Sequence, residues 1–410
     1  MRSPARLVVA TLLTIAAATG VELRVLEDDS SAKATSLGNE ALMEGRYETA
    51  AAHYLRALDR DPRYFFALFN LALAHQQLGQ MVDARKRYDQ ALALEPDNAQ
   101  VLCNLAWLDY RDGGFEDAAR RFAEAARIAV GRPAEAAEYW FDIGAVREKQ
   151  ARHAEARRAY EQALTADEGN YGARYNLGTL YLGPLNAGPA SLALAREHLE
   201  KATTLEPKRM EAWLNLALCR ERQGDAGAEA AFERAVAVAQ PNQVALARWR
   251  RALWYDRLIP PRKIAMRDDL AAVLAAEPDY PEANGRMGAY AYAIGDYDRA
   301  IVHLEREVSE ANDQRGPIDV ESHFLLAEIY TDRRPDPQKA LFHATACQQA
   351  GDQAARVKDL HRRLDQALDG KPAPAAPAPS APAQAPAAPA AHPAAPAPAA
   401  PAGDHAHPAH

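Results

Sequence analysis

Stepped through in increments of 34, this chain repeats one arrangement of residues. Gly45, Ala50, Tyr54, Ala57 and Pro62 return as Gly79, Ala84, Tyr88, Ala91 and Pro96. The pairs Leu37–Gly38, Leu71–Ala72 and Leu105–Ala106 stand one period apart. A period in this range means stacked supersecondary units, each touching only its neighbours, in place of one closed core. A length of 410 residues, which would otherwise suggest two to four domains, is therefore read as one array grown by addition. Such an array offers a long surface for holding other proteins and requires no chemistry of its own.

The spacing of small and large residues predicts how each unit packs. Gly38, Ala72, Ala106, Gly144, Gly178 and Ala217 fall where a first helix crosses a second, and a bulky side chain there would push the axes beyond about 8–10 Å. Ala50, Ala84, Ala118, Ala156 and Ala195 do the same from the second helix. Tyr54, Tyr88, Phe122 and Tyr160 are expected to fill the gap toward the next unit. Pro62, Pro96 and Pro207 should end second helices, because proline cannot continue one.

This pattern resembles the tetratricopeptide repeat, a helix–turn–helix unit of 34 residues. The resemblance implies an all-α, right-handed α-solenoid of about eight to nine units with a C-terminal capping helix. The units are placed at 31–64, 65–98, 99–132, 137–170, 171–209, 210–242, 247–280, 281–314 and 320–351, and the cap at 352–369. In the cap, Val357, Leu360 and Leu364 form one apolar stripe, with Arg362, Arg363 and Asp365 off it. The seventh unit departs most: Trp254 stands where a small residue belongs, and Pro260–Pro261 occupy the turn.

The ends are of different character. Arg2 and Arg6 precede an apolar run from Leu7 to Ala18, with Ala16–Ala18 offering small residues for cleavage, so residues 1–20 read as a signal peptide or an N-terminal membrane anchor. A short linker, 21–30, follows. A tether would run through residues 7–21, and either reading places the repeats outside the cytoplasm, periplasmic or anchored in the inner membrane facing the periplasm. Residues 370–410, rich in Pro, Ala and His, are expected to be disordered or polyproline-like.

Composition narrows the partners. A formal charge of −8 argues against nucleic acid, which calls for a basic face. Three scattered cysteines, Cys103, Cys219 and Cys347, make neither a disulfide framework nor a zinc site. No metal, cofactor or catalytic residue is expected. Ser30–Lys33 matches Ser-x-x-Lys, but the companion motifs of that enzyme class are missing and the segment lies where the first helix begins.

The candidate binding residues come from the resemblance, which places partners along the concave face lined by first helices. Asn70, Asn104, Asn176 and Asn215 immediately precede the signature Leu, with Asp142 at the matching place in the fourth unit. An amide can both donate to and accept from a peptide backbone, so these form a candidate ladder; local bonding is the alternative. Phe69, Trp107, Phe141 and Tyr175 flank them, and Arg111, Lys149 and Arg222 follow near the helix ends, as anchors or as packing. The family's carboxylate clamp needs Lys and Arg where this chain has Thr35, Gln100 and Asn104, so a receptor for acidic C-termini is not implied. Arg248, Trp249, Arg250, Arg251, Trp254, Tyr255, Arg257, Arg262 and Lys263 make a basic aromatic stretch, either a grip for an acidic or glycan partner or a divergent joint. The expected function is a non-enzymatic scaffold of the bacterial envelope binding proteins or peptides. The alternative is an accessory subunit of a polysaccharide or glycan assembly system, with Trp107, Trp249 or Trp254 as sugar platforms.

Overall fold

The computed structural model describes residues 30–183, 188–280, 282–313, 319–350 and 355–368. The signal or anchor, most of the linker and the Pro/Ala/His-rich tail lie outside the described residues. Within them are nineteen α-helices and no strand, an all-α solenoid. They belong to two compact units, Met1–Ala173 and Arg174–His410.

The first unit carries four helical hairpins. They are α1 (Ser31–Met43) with α2 (Tyr47–Arg60), α3 (Phe65–Gln77) with α4 (Met81–Leu94), α5 (Ala99–Arg111) with α6 (Phe115–Ile128), and α7 (Pro133–Lys149) with α8 (His153–Ala166). A 3-10 turn, Ala129–Gly131, leads from α6 into α7. The helix α9 (Tyr171–Leu182) carries the boundary between the units. The second unit continues with α10 (Pro189–Leu205), α11 (Met210–Arg222), α12 (Ala228–Val238), α13 (Val244–Arg257), α14 (Lys263–Ala276), α15 (Ala283–Ala293) and α16 (Tyr297–Asp313). It closes with α17 (Val320–Glu328), a π turn at Ile329–Arg333, α18 (Pro337–Gln349) and α19 (Ala355–Leu368).

Local chemistry sets the helix limits. The Ser30 hydroxyl accepts from Lys33 N at 3.1 Å and caps α1, a structural role for the Ser-x-x-Lys segment. Asn98 caps α5 in the same way through Val101 N. Gly45 and Gly79 close α1 and α3 in the left-handed region, at φ 71° and 75°, where the chain must reverse within three residues. Ala151, at φ 56°, takes that place after α7 and bears the strain of a Cβ there. Pro62, Pro96 and Pro207 each follow a second helix by two residues.

Packing follows the small residues. Ala50, Ala84, Ala118, Ala156 and Ala195 are completely buried, as are Ala72, Ala106 and Ala217. Tyr54 and Tyr160 stand in the crossings of their own hairpins. A Cβ added to Gly38 would stand 2.7 Å from Tyr54 Cδ1 and 2.9 Å from its Cζ, and one on Gly144 would stand 2.7 Å from Tyr160 Cζ. Each ring therefore fills the crossing of its own hairpin, in the space the glycine leaves open. Leu199 and Leu304 serve Gly178 and Gly288 in the same way. On α19, Val357, Leu360 and Leu364 are buried as expected. Arg363 leaves the polar face, with a side chain 12% exposed among Glu328, Asp332 and Asp359.

Candidate functional site

The first helices of the hairpins place the candidate residues, and the four asparagines turn out not to be equivalent. Asn70 on α3 is buried; its Nδ2 donates to Asn39 Oδ1 at 2.9 Å, an oxygen that also accepts the Tyr54 hydroxyl at 2.8 Å. Asn215 on α11 donates to the Tyr175 hydroxyl at 3.1 Å and to Thr179 Oγ1 at 3.3 Å. These two amides thus tie one hairpin to the next. Asn104 on α5 is half-buried and its side chain makes no hydrogen bond among the described residues. Asn176 is half-buried on α9.

The flanking aromatics are half-buried and mutually packed. Phe69 stacks on Phe65 at 6.1 Å and meets Tyr88 edge-on at 5.8 Å. Trp107 stands edge-on to Tyr110 and Phe122, each at 5.5 Å. Phe141 lies 5.7 Å from Tyr160 and covers Gly172. Each gives part of its ring to the core and keeps part at the surface. Arg111 and Lys149 are exposed and form no ion pair among the described residues. Arg222 is spent on structure, donating Nη1 to Leu182 O at 2.5 Å. Of the carboxylate-clamp positions, Thr35 is buried and Gln100 exposed.

Five of the six cations in the basic stretch around α13 and α14 find acidic partners within their own unit. Asp269, 2% exposed, accepts Arg251 Nε and Nη2, both at 2.7 Å, and Arg248 Nη1 at 3.1 Å. Arg257 pairs with Glu221 at 2.8 Å, Arg262 with Glu229 at 2.5 Å and Lys263 with Asp256 at 2.5 Å. Trp249 and Trp254 are each 7% exposed, packed against Tyr280 and against Phe232 and Tyr255. Two of the three candidate sugar platforms are therefore buried, and Trp107 alone keeps part of its ring at the surface. Arg248, Arg251, Arg257, Arg262 and Lys263 are thus paired within the fold, and both tryptophans of the stretch are buried. The signal of this pairing in sequence was present but divided: Asp269 and Glu221 lie far along the chain from the arginines they meet.

The acid at the matching place of the fourth unit stands apart from the asparagines. Asp142, at the asparagine position of α7, is 7% exposed and makes no hydrogen bond or ion pair among the described residues. Burial, with the charge of Glu138 one turn away, holds its carboxyl well above the usual carboxylate range. Burial and the same two acids push the Cys103 thiol of α5 upward. No group of three or more His, Cys, Asp or Glu among the described residues could hold a metal ion. No helix among them is long and apolar enough to cross a membrane.

Comparison with known proteins agrees with this architecture. Family models described as TPR repeat match residues 38–79, and models described as tetratricopeptide repeat match 65–98, 103–171, 142–183 and 191–244. Photosystem I assembly protein Ycf3 of Synechococcus elongatus is 39% identical over 80 residues, which are 17% of this chain and 46% of that protein. The chain thus spans about half the length of the curated relatives it matches. Among solved structures, the C-terminal part of a TPR repeat-containing protein from Cytophaga hutchinsonii is similar at TM-score 0.50 and 14% identity, covering 61% of this chain and 98% of that one. Pseudomonas aeruginosa pilF is similar at TM-score 0.44 and 20% identity, covering 60% and 98%.

Proposed function

The chain belongs to the tetratricopeptide repeat family, and on that premise we propose that it is a non-enzymatic scaffold of the bacterial envelope. Its partners are segments of other proteins, held along the face carried by α3, α5 and α7. The observation that carries the reading is what that face leaves unspent. Among the described residues Asn104 keeps both its donors and its acceptor, Arg111 and Lys149 have no acidic partner, and Phe69, Trp107 and Phe141 are half-open rings beside them. An amide for the partner's backbone, aromatic surface for its apolar side chains and cations for its acids make a surface for an extended peptide. Asn70, Asn215 and Arg222 act one step back, by holding neighbouring elements in place, and Tyr175 and Asn176 belong to the matching face of the second unit.

The test is capture from an envelope extract with the full chain as bait. Asn104→Ala combined with Arg111→Glu and Lys149→Glu should lose the captured partners while its helical circular dichroism is unchanged. Retention of every partner by the folded variant would refute this face as the binding surface. The envelope assignment rests on Arg2, Arg6 and the apolar run Leu7–Ala18. Mass spectrometry of the mature protein should find a start near Thr19 or Val21; an intact Met1 means that the segment is kept, as an anchor.

A further inference from the structure

The protein buries three aspartates, Asp109, Asp142 and Asp269, among its described residues, and it equips only two of them. Asp109 accepts Arg85 Nη1 at 2.6 Å and Arg121 Nε at 2.8 Å. Asp269 accepts Arg248 and Arg251. In both cases two guanidinium groups converge on one buried carboxylate, which is how this fold neutralises such a charge. Asp142 is buried to a similar degree and meets no cation among the described residues. Its neighbour on the helix face, Glu138, adds a second carboxyl at the i−4 position and accepts Asn170 Nδ2 at 2.7 Å.

A buried carboxylate without a partner is destabilising, and the fold does not need one here. The matching position in the neighbouring units is asparagine: Asn70, Asn104, Asn176 and Asn215. An amide of the same shape therefore satisfies the architecture, and the acid at 142 is an addition to it. Polar groups that cost stability and serve no contact within the fold mark functional sites.

We infer that Asp142 and Glu138 form a subsite on α7 for a lysine or arginine side chain of the bound peptide, the cation that the fold supplies itself at Asp109 and Asp269. This inference rests on the reading of the first-helix face as the peptide site. Two acids with Cys103 do not make a metal cluster, whereas a guanidinium matches carboxylates through paired donors. Asn104 lies on the preceding first helix to hold the peptide backbone. Lys149 lies two turns beyond Asp142, about 10 Å along α7, where it would meet an acidic group of the same peptide. The partner is thus an extended segment with a basic residue set against Asp142 and an acid farther along.

The experiment uses an array of synthetic 12-residue peptides of randomised sequence, probed with the full chain and with Asp142→Asn. Peptides retained by the natural chain should be enriched in Arg or Lys. For a retained peptide, replacing that arginine by citrulline should weaken binding about tenfold, Asp142→Asn should weaken it equally, and the two changes together should do no more. The variant should melt at the same temperature as the natural chain or higher. Retention of peptides without basic preference, or equal affinity of Asp142→Asn for the arginine peptide, overturns the inference and leaves the peptide-binding face standing. A melting temperature lowered by several degrees overturns it too, by showing that the acid serves the fold. Retention of no peptide removes the face itself and the inference with it.

Discussion

Replacing Asp269 by alanine asks whether the basic stretch of α13 is part of the fold or a surface awaiting a partner. The carboxylate side chain is 3% exposed, and the two arginines that converge on it are 17% and 33% exposed. Removing one member of a buried ion pair costs about 3–5 kcal/mol, because the remaining charge is left without compensation. Here the stranded charges are arginines that still reach water, Arg248 through about a third of its side chain, so the lower end applies: about 3 kcal/mol. Arg251, bidentate and less exposed than Arg248, should carry more of the coupling when each is changed to alanine in turn. For an array of this size the cost corresponds to a fall of about 6–12 °C in the melting of the second unit. Urea unfolding followed by tryptophan fluorescence is the assay, since Trp249 and Trp254 are buried on the same helix and report its loss. Repeating it in 1 M NaCl separates the two readings, because at that ionic strength the Debye length is about 3 Å and exposed pairs are screened. A cost below about 1 kcal/mol, or one that salt abolishes, refutes the argument and returns the stretch to solvent as a basic face.

Three further outcomes follow from the geometry. Gly144→Ala gains about 1 kcal/mol of helix propensity but drives a methyl into the Tyr160 ring, which is fixed from behind by its hydroxyl donating to Glu148 at 2.5 Å; a net loss of about 1–2 kcal/mol in urea unfolding is expected, and unchanged stability would show that the crossing can widen. Asp142 has a raised folded-state value, so its penalty is absent below the unfolded value near 4 and grows as pH rises above it; Asp142→Asn should therefore stabilise at pH 7 and not at pH 4, with Glu138, Cys103 and Tyr139 as the titratable neighbours. His343, 2.9 Å from His323 between their Nδ1 atoms, is pushed down to about 4 by burial and by His323; with a lowered folded-state value, the α17–α18 hairpin is fully stable above about pH 6.5 and loses stability as pH falls toward 4, with Asp319, Glu305 and Lys339 as the facing charges. Amide exchange across α17 and α18 at pH 7 and pH 4.5 measures it, and equal protection would contradict the burial of the pair.

Much of the fold was legible because its determinants are local and periodic. Gly45 and Gly79 mark helix ends through their own backbone freedom, and Ala50, Ala84 and Ala118 return at a spacing that only a repeating crossing explains. The candidate face was legible in outline for the same reason, since first helices recur in register. Its energetics were not. Asn70 and Asn104 occupy the same place in the repeat, yet one amide is bonded to Asn39 and the other is unspent. Arg248 and Arg251 look like a solvated cluster until Asp269, eighteen residues beyond Arg251, folds back onto them.

Sequence by itself determined the class of structure, the order of its helices and which residues recur on the first helices, because propensity, capping and period act over a few residues at a time. Tertiary structure alone decided which polar groups on that face are already satisfied, because satisfaction depends on what another hairpin brings within about 3 Å. Tyr54 turning into its own crossing, the arginines meeting Asp269, and Asp142 left without a cation are all results of that second kind.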